Sequence, residues 1–582
     1  MKIKGVILLN ALFFIATGIK AQYNCVEPLK EKNPVVHGRS WLNEVPNSYT
    51  RLPEKAKDKV RNAVWNLSTQ SAGLSVKFYS NASDIKVRYV VTGGKSMPHM
   101  PSTGVSGVDL YATDCNGKSR WCAANYSFGD TVVYNFRGLA YQDGSSYGYE
   151  YQLFLPLYNT VTWLEICTPA SSYFRFIPVS KEKPIVVYGT SIAQGACASR
   201  PGMAWANIVG RTLEYPLINL GFSGNGLLEP ELFELLSEID ARAYVIDCMP
   251  NLNKQKDFAN IYPRTLVGVK KLREHSNAPI LLVEHSGNTN ELSAPECGIN
   301  YRRANRELKR AYEALLKENV SNIFYLSHSE IGFTMDAMVE GGHPSDLGMQ
   351  QYADAYCKKL REILHENIEG PSTCKPSKQQ RDFYDWNERH EQVLERNKQI
   401  APEILMIGNS ITHFWGGEPA SSRCYGGKTW KNLFGKRKVI NLGFGWDKIE
   451  NVLWRIYHGE LDGYQAKYIC LMIGTNNLQF NTNDEILRGI TRIVEAIKER
   501  QPETKINLIG ILPRKGMENR IKELNLLVSE NLGKEKNVRI VNLSPVLTLN
   551  NGLIDNTLFI DGLHPNEKGY ERMVKELKPL LK

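Results

Sequence analysis

Two sets of residues of the types needed for acyl transfer occur along this 582-residue chain, in the same order and at nearly the same spacing. Each set begins with a serine in a Gly-x-Ser block and ends in an acid, two further residues and His-Pro. From serine to histidine the first set spans 152 positions and the second spans 154. Two copies of one catalytic domain explain this repetition best. The reactive residues are Ser191, Glu340 and His343 in the first set and Ser410, Asp561 and His564 in the second.

These residue types favour nucleophilic catalysis by serine. A serine hydroxyl is a weak nucleophile until a base such as histidine takes its proton, and an acid on the far side of the imidazole fixes the tautomer and stabilises the imidazolium. An acid three residues before the histidine can do both from one loop. The tetrahedral intermediate also needs hydrogen-bond donors for its oxyanion, and the loss of one donor typically costs on the order of 10²–10³ in rate.

Two further blocks lie between serine and histidine in each copy. The four blocks together resemble those of the SGNH (GDSL-like) hydrolase superfamily, which contribute serine, glycine, asparagine and histidine in that order. The resemblance covers about 183–366 and again 403–582. It implies that the serines are nucleophiles, that the histidines are bases and that Asp561 orients His564. The implied oxyanion donors are the serine amides together with Gly224, Asn251 and Asn476.

Two departures from the family pattern concern the acid of the first copy and the residue before each nucleophile. The acid before His343 is Glu340 rather than aspartate, and we expect the loop to absorb the extra methylene. The residue before the serine is Thr190 in one copy and Asn409 in the other, where the family usually has aspartate. Neither position transfers a proton, so both changes are expected to be minor.

A third departure concerns the oxyanion glycine of the second copy. Alignment of Asp447 with the family's Gly-Asp pair places Trp446 at this position. A backbone amide is still available there, but glycine adopts φ > 0 at low cost and tryptophan does not. Gly445 is therefore the alternative donor.

Short apolar runs precede both nucleophiles, at 184–188 and 404–407, as is typical of buried parallel strands. Similar runs at 243–246 and 469–473 lead into the asparagine blocks. The reactive groups should then lie at the carboxyl ends of the strands, where open α/β sheets bind ligands. Taken singly, each of these residues has a structural explanation, and only their joint occurrence favours catalysis. The expected fold class is α/β, with two tandem three-layer α/β/α domains that contain parallel sheets.

Residues 22–180 have a different pattern. Apolar and polar residues alternate with period two in stretches such as 85–91, and turn clusters separate these stretches, so an all-β sandwich is predicted ahead of the α/β domains. Gly107-Val108-Asp109-Leu110-Tyr111 resembles the Gly-x-Asp-Leu-Tyr signature of a β-domain found ahead of SGNH-type esterases. Trp121 and Tyr149 could stack on sugars or belong to the sandwich core.

The first residues predict export. A basic start is followed by an apolar run to Ile19 and by the small residue Ala21, which is typical of a secretory signal peptide and too short for a stable membrane span. We expect a periplasmic or secreted protein with no integral membrane segment after the signal is removed. The expected division is 1–21 signal peptide, 22–180 β-sandwich, 181–366 first hydrolase domain, 367–402 linker with a helix, and 403–582 second hydrolase domain.

Composition excludes several other classes. The formal charge falls from +10 to +7 without the three lysines of the signal, and basic and acidic residues interleave, which argues against a nucleic-acid partner. Eleven cysteines show no paired metal-ligand spacing, so no metal or other cofactor is expected. Cys115 and Cys122 flank a turn. The sequence does not decide whether they form a disulfide or remain as two free thiols. The charged linker segment 382–398 looks helical and carries no catalytic signal.

The resemblance implies an esterase. Exported, multidomain esterases with a β-sandwich resemble bacterial carbohydrate O-acetylesterases, so the expected substrate is an acetylated carbohydrate. The segment 443–455 also resembles platelet-activating-factor acetylhydrolase-like members, which favour small acyl groups. One alternative is a hydrolase of lipid or aryl esters. Another is a glycan-binding protein in which one copy has lost catalysis.

Overall fold

The computed structural model describes residues 22–45, 47–139 and 146–581. Within them an antiparallel β-domain is followed by two parallel α/β domains, which confirms the predicted fold class. The expected signal peptide, 1–21, lies outside the described residues. None of the helices described has the length and apolar character needed to cross a membrane.

The β-domain contains two antiparallel sheets, with strand orders β1-β10-β4-β8-β7 and β11-β3-β9-β5-β6, and β2 pairs with β3. Alternate residues such as Ile85, Val87 and Tyr89 of β4 point into the shared core. This alternation is the period-two pattern of the sequence. The strands are β1 Tyr23–Val26, β2 Val36–His37, β3 Ser75–Ser80, β4 Asp84–Val91, β5 Asp109–Thr113, β6 Ser119–Cys122, β7 Ala124–Phe128, β8 Val132–Arg137, β9 Tyr149–Phe154, β10 Val161–Pro169 and β11 Phe174–Phe176.

A disulfide joins Cys25 of the edge strand β1 to Cys167, its partner in the register of β10. A bridge between Cys115 and Cys122 is not formed, because both thiols are free. Cys122 is buried in the sandwich core, whereas Cys115 lies in the turn, where its carbonyl accepts a hydrogen bond from the amide of Gln380 (2.8 Å). In the described part of the chain, the one cluster of possible metal ligands contains the two bridged sulfurs and is therefore not a free metal site.

The two α/β domains have the same sheet order, with the second strand of each domain at one edge and the first beside it. All pairings are parallel. The order of the strands reverses at the first strand, which is the strand that precedes each candidate nucleophile, and open sheets bind ligands at such a point. The strands are β12 Ile185–Gly189, β13 Leu217–Gly221, β14 Ala243–Asp247, β15 Ile280–Val283, β16 Ile323–Leu326, β17 Ile404–Gly408, β18 Val439–Gly443, β19 Tyr468–Met472, β20 Lys505–Ile509 and β21 Val538–Val541.

Helices cover both faces of each parallel sheet. In β12, Ile185 and Val187 pack in one core cluster, and Val186 and Tyr188 pack in another, so both faces of the strand are buried. This produces three layers. The α-helices are α1 Asn62–Ser68, α2 Ser102–Val105, α3 Ser191–Gln194, α4 Trp205–Leu213, α5 Pro230–Ser237, α6 Phe258–Arg273, α7 Pro295–Lys317, α8 His328–Ile331, α9 Asp346–Ile363, α10 Trp386–Ile400, α11 Ser410–His413, α12 Gly427–Phe434, α13 Ile449–Arg455, α14 Asn483–Arg500, α15 Glu518–Leu532, α16 Ser544–Leu547 and α17 Glu567–Leu577.

A buried group of ionisable residues, which we call the junction cluster, joins the two α/β domains and the linker helix α10. It consists of Glu182, His390, His458 and Glu460. His390 Nδ1 lies 2.9 Å from Glu460 Oε1, and its Nε2 lies 3.8 Å from Glu182 Oε1. His458 Nδ1 lies 2.7 Å from Glu182 Oε2. The linker is therefore packed between the domains and forms part of their contact.

Candidate active sites

Each candidate nucleophile is the first residue of a short helix that directly follows a buried strand. Ser191 and Ser410 are 8% and 4% exposed. The preceding residues, Thr190 and Asn409, accept a hydrogen bond on the side chain from the amide two positions ahead, at 3.3 and 3.0 Å. These residues therefore cap the helices. The first amides of a helix have no acceptor within it, so each serine N–H is available to a ligand.

The first site is a continuous chain of hydrogen bonds from serine to acid. Ser191 Oγ lies 2.8 Å from His343 Nε2, and His343 Nδ1 is hydrogen-bonded to Glu340 Oε1. The other carboxylate oxygen accepts the amides of Gly342 and His343, both at 3.0 Å. Three N–H groups thus converge on one carboxylate. This arrangement favours the tautomer in which Nδ1 carries the proton and Nε2 accepts.

The second site has the same connections. Ser410 Oγ lies 2.9 Å from His564 Nε2, and His564 Nδ1 lies 2.7 Å from Asp561 Oδ2. Asp561 Oδ1 accepts the amides of Leu563 and His564 at 3.0 and 2.8 Å. The extra methylene of Glu340 in the first site therefore changes neither the number nor the type of donors around the carboxylate.

Both acids are held in their ionised form. Burial acts to raise the pKa of Glu340, but hydrogen bonds from the His343 ring and from the amides of Gly342 and His343 lower it below its ordinary value. Burial likewise opposes the hydrogen bonds from the amide and ring of His564, which lower the pKa of Asp561. A carboxylate that stays charged can stabilise the imidazolium formed when histidine takes the serine proton.

The oxyanion loop of the first copy has the conformation expected from its glycine. Gly224 lies in the left-handed region (φ +68°), and the space beside its Cα is open. The preceding amide, of Ser223, donates to Gln194 Oε1 (3.0 Å). In the amide orientation that satisfies its neighbours, the Asn251 side-chain oxygen accepts the amides of Asn225 and the next residue, both at 3.0 Å. Its NH₂ group is then the end that can donate.

In the second copy the left-handed position is occupied by Trp446, with φ +63°. Gly445 is outside this conformation, and its N–H donates to His413 Nδ1 (3.1 Å). Burial lowers the pKa of His413, so this ring is neutral and can accept. The geometry favours Trp446 over Gly445 as the counterpart of Gly224. A left-handed conformation costs a non-glycine residue roughly 1–2 kcal/mol, so neighbouring contacts must hold it.

The two adjacent asparagines of the second copy have different surroundings. Asn476 lies beside the oxyanion loop and donates from Nδ2 to the Asp447 carbonyl (2.9 Å), which leaves a second amide hydrogen. Asn477 is fully buried, accepts the Ile449 amide (3.0 Å) and donates to Glu450 Oε2 (2.9 Å). Asn476 is therefore the residue placed to reach a ligand, and Asn477 connects the loop to α13.

A buried arginine from the β-domain holds the oxyanion loop of the first copy. Arg51 donates from Nη1 to the carbonyls of Asn219 (3.1 Å) and Gly221 (2.7 Å), which end strand β13. Its guanidinium lies 5.0 Å from the ring of Phe222. Burial lowers the pKa of Arg51 to about 9, which still leaves it charged at neutral pH.

The linker supplies the matching arginine to the second copy. Arg389 of α10 donates to the carbonyls of Asn441 (3.2 Å) and Gly443 (2.9 Å), and it lies 5.1 Å from the ring of Phe444. These positions correspond to those that Arg51 binds. The arginines precede their serines by 140 and 21 positions, so no common spacing could have revealed them in the sequence.

The β-domain also borders the first site. The ring of His99 lies 6.0 Å from that of His343, and the Tyr158 hydroxyl donates to the Ser191 carbonyl (3.2 Å). Of the aromatic residues considered for sugar stacking, Tyr149 is 8% exposed and belongs to the sandwich core, whereas Trp121 is 50% exposed.

Comparison with known proteins agrees with this geometry. Residues 182–361 and 406–572 match the family described as GDSL-like Lipase/Acylhydrolase, and 23–174 match the GxDLY N-terminus of SGNH hydrolase-type esterases. Platelet-activating factor acetylhydrolase IB subunit alpha2 of Homo sapiens is 31% identical over 200 residues, which cover 34% of this chain and 83% of that protein. The alpha1 subunit of Homo sapiens is 29% identical over 200 residues, with 34% and 82% covered.

A solved structure, that of a GDSL-like lipase from Bacteroides ovatus, covers 59% of this chain and 98% of the other, with 29% identity and a TM-score of 0.54. This share is larger than any one of the three matched ranges, so the similarity extends beyond a single domain. Each matched hydrolase range also contains its own parallel sheet, serine and histidine. The chain therefore belongs to the GDSL-like (SGNH) lipase/acylhydrolase family, as a carboxylic ester hydrolase with two such domains behind a GxDLY N-terminal domain.

Proposed function

We propose that this protein is an exported esterase that removes O-acetyl groups from glycans at two sites. The observation that carries the proposal is the complete hydroxyl, imidazole and carboxylate chain in both copies, with Ser191 Oγ 2.8 Å from His343 Nε2 and Ser410 Oγ 2.9 Å from His564 Nε2. The names of the relatives, which are acetylhydrolases, support acetyl as the acyl group.

Acylation begins when Ser191 Oγ attacks the acetyl carbonyl carbon and His343 Nε2 takes the hydroxyl proton. Glu340 stabilises the resulting imidazolium through Nδ1. The negative charge that develops on the carbonyl oxygen is bound by the amides of Ser191 and Gly224 and by the NH₂ group of Asn251. As the intermediate collapses, the carbon–oxygen bond to the sugar breaks, the imidazolium returns its proton to that oxygen, and an acetyl-serine remains.

Deacylation reverses these roles. His343 removes a proton from water, the hydroxide oxygen attacks the acetyl-serine, and the same donors bind the oxyanion. Collapse breaks the bond to Ser191 Oγ, which recovers its proton from the imidazolium, and acetic acid leaves and ionises to acetate in water. In the second copy Ser410, His564 and Asp561 perform the same steps.

The surface beside the second nucleophile supports a sugar as the alcohol portion of the substrate. Trp446 is 43% exposed, and its ring lies 5.2 Å from that of Phe383. An exposed indole offers a flat apolar face, together with an N–H, against which a sugar ring can pack. The acetylhydrolase relatives favour a second candidate, hydrolysis of an acetylated lipid.

Acetate release from 4-nitrophenyl acetate and a panel of acetylated glycans, compared with release of the longer acids from their own esters, tests the proposal. The wild type is compared with Ser191→Ala, Ser410→Ala and the double variant. We expect each single variant to lose part of the glycan activity and the double variant to lose all of it. Preference for longer acyl chains or for lipid esters would favour the second candidate. A single variant with no activity would assign a binding or structural role to the other copy, and full activity in the double variant would exclude both serines.

Export is tested separately. Expression of the full chain with its first 21 residues is followed by fractionation and N-terminal sequencing of the recovered protein. We expect a mature chain outside the cytoplasm that begins at Gln22. An unprocessed cytoplasmic chain would contradict this part of the proposal.

A further inference from the structure

The linker between the two hydrolase domains forms one wall of the second site. Tyr384 donates from its hydroxyl to the Gly445 carbonyl (2.9 Å), and Gln379 donates from Nε2 to the same carbonyl (3.1 Å). Gln379 is 4% exposed. The ring of Phe383 packs against Gly445 so closely that a Cβ there would lie 2.5 Å from a ring carbon. Three linker side chains thus contact the residue that precedes Trp446.

The Gly445 carbonyl belongs to the same peptide group as the Trp446 N–H. In a trans peptide these two bonds are nearly coplanar and point in opposite directions, so donors that fix the carbonyl also fix the direction of the N–H. A carbonyl that accepts two hydrogen bonds also polarises its peptide group, which makes the attached N–H a stronger donor. The linker is therefore in contact with the part of the peptide that controls the candidate oxyanion donor.

In the first copy the corresponding carbonyl is held by a residue of the same loop. There the Ser223 carbonyl, in the peptide that carries the Gly224 N–H, accepts a hydrogen bond from Asn225 Nδ2 (2.8 Å). The residue that corresponds to Asn225 in the second copy is Asp447, and an ionised carboxylate cannot donate.

Asp447 is also fully occupied in another role. It accepts hydrogen bonds from Arg455 Nε (2.9 Å), Trp386 Nε1 (2.8 Å) and Gln379 Nε2. The carboxylate is entirely buried, and such a group depends on donors of this kind. Asp447 therefore cannot replace Asn225 as the donor to this carbonyl. The linker supplies the donors instead, and Gln379 Nε2 serves both the carbonyl and the carboxylate.

The need for this support is greater in the second copy. Glycine adopts the left-handed conformation without a steric penalty, but Trp446 does not. The two hydrogen bonds to the Gly445 carbonyl fix the peptide that carries the Trp446 N–H and so help to offset this penalty.

We propose that Gln379 and Tyr384 are positioning residues that orient and polarise the Trp446 N–H as an oxyanion donor of the second site. The inference rests on the proposed function, because it requires that Ser410 hydrolyses esters. It assigns a role in catalysis to a segment that both family ranges exclude.

The test uses the full chain with Ser191→Ala, so that only the second site acts, and 4-nitrophenyl acetate as substrate. Tyr384→Phe and Gln379→Met each remove one donor to the Gly445 carbonyl and nearly keep the side-chain volume. Gln379→Met also removes a donor to Asp447, so Tyr384→Phe is the variant that changes the carbonyl alone. We expect each to lower kcat by about 3- to 10-fold and the pair to lower it by about 10- to 100-fold with KM unchanged, which does not exceed the 10²–10³ attributed to loss of a whole donor. A loss confined to kcat distinguishes orientation of an oxyanion donor from loss of substrate binding.

Two controls separate positioning from general damage. Tyr464→Phe removes a hydroxyl that donates to a backbone carbonyl of the same domain (2.7 Å), and it should leave kcat unchanged at a similar cost in stability. The Tyr384→Phe, Gln379→Met pair in a Ser410→Ala chain should leave the first site unchanged.

The outcomes distinguish the two proposals. If the Ser191→Ala chain is active and the paired variant keeps its kcat, or loses kcat only in parallel with folded protein, the inference is wrong and the proposed function stands. If the Ser191→Ala chain neither hydrolyses the ester nor becomes labelled at Ser410 by a fluorophosphonate, the second site is not an esterase and both proposals fail for it.

Discussion

The junction cluster should make the stability of the protein depend on pH above neutrality. Burial alone would lower the pKa of His390, but the interactions of its ring N–H groups with the carboxylates of Glu182 and Glu460 outweigh it and raise the pKa from 6.5 to about 9. Because the folded value is above the unfolded one, this histidine contributes stability that is fully present below pH 6.5 and is lost as pH rises through 9.

The size of the effect follows from the same two values. The difference between 6.5 and about 9 corresponds to at most about 3 kcal/mol for this nearly fully buried side chain. His458, on the other side of Glu182, does not add to it. Burial, opposed by the hydrogen bond and charge of Glu182, lowers the pKa of His458 to about 4, so this ring is already neutral across the range.

Urea unfolding of the wild type and of His390→Gln between pH 6 and 10 measures the effect. The variant keeps a polar side chain but cannot carry the charge, so the gap between the two midpoints should be largest at pH 6 and should shrink by pH 10. His275→Gln, at an exposed position, is the matched control and should change the midpoint little. A gap for His390→Gln that stays constant from pH 6 to 10 would refute the reasoning.

Three further changes test other parts of the structure. In a Ser410→Ala chain, Glu340→Gln should lower kcat on the order of 10³–10⁴ because an amide cannot hold the required tautomer of the histidine, and an unchanged kcat would remove the acid from the mechanism. Trp446→Gly should change the free energy of unfolding by less than about 1 kcal/mol, because relief of the left-handed conformation is offset by lost contacts and by the greater chain entropy of glycine. Calorimetry measures this change, and a larger one would contradict the prediction. Replacement of Cys25 and Cys167 by serine should destabilise the β-domain by about 2–5 kcal/mol in denaturant titrations, and equal stability would show that the bridge is absent in solution.

The candidate nucleophiles, bases and acids could be proposed from the sequence because each belongs to a short local block. Each serine directly follows a strand, and each acid shares one loop with its histidine just before a helix. The geometry that follows is set by the fold class, so Ser191 and His343 meet across 152 positions once the parallel sheet is correct. Trp446 could be aligned with Gly224 from the sequence because Asp447 follows it, but only the backbone conformation favours it over Gly445.

The contacts that come from outside the repeated domains could not be predicted. Gln379 and Tyr384 reach the second site only because α10 packs against β18, and nothing in their own sequence indicates that packing. The disulfide was missed for a related reason. Cys115 and Cys122 flank a turn, which left a bridge between them open, but the direction of each side chain depends on the sheet. The disulfide instead joins Cys25 of β1 to Cys167, its neighbour on β10.

The paired arginines have a consequence for dissection of the protein. Arg51 and Arg389 each cover the carbonyls at the end of a strand, yet both lie outside the ranges that match the hydrolase family, which begin at 182 and 406. A fragment cut at those limits would expose these carbonyls to solvent and lose the cation that holds the oxyanion loop. We therefore expect the smallest stable form of the second hydrolase domain to begin before Gln379 and that of the first to retain the β-domain, so that neither repeat is separable at its family limits alone.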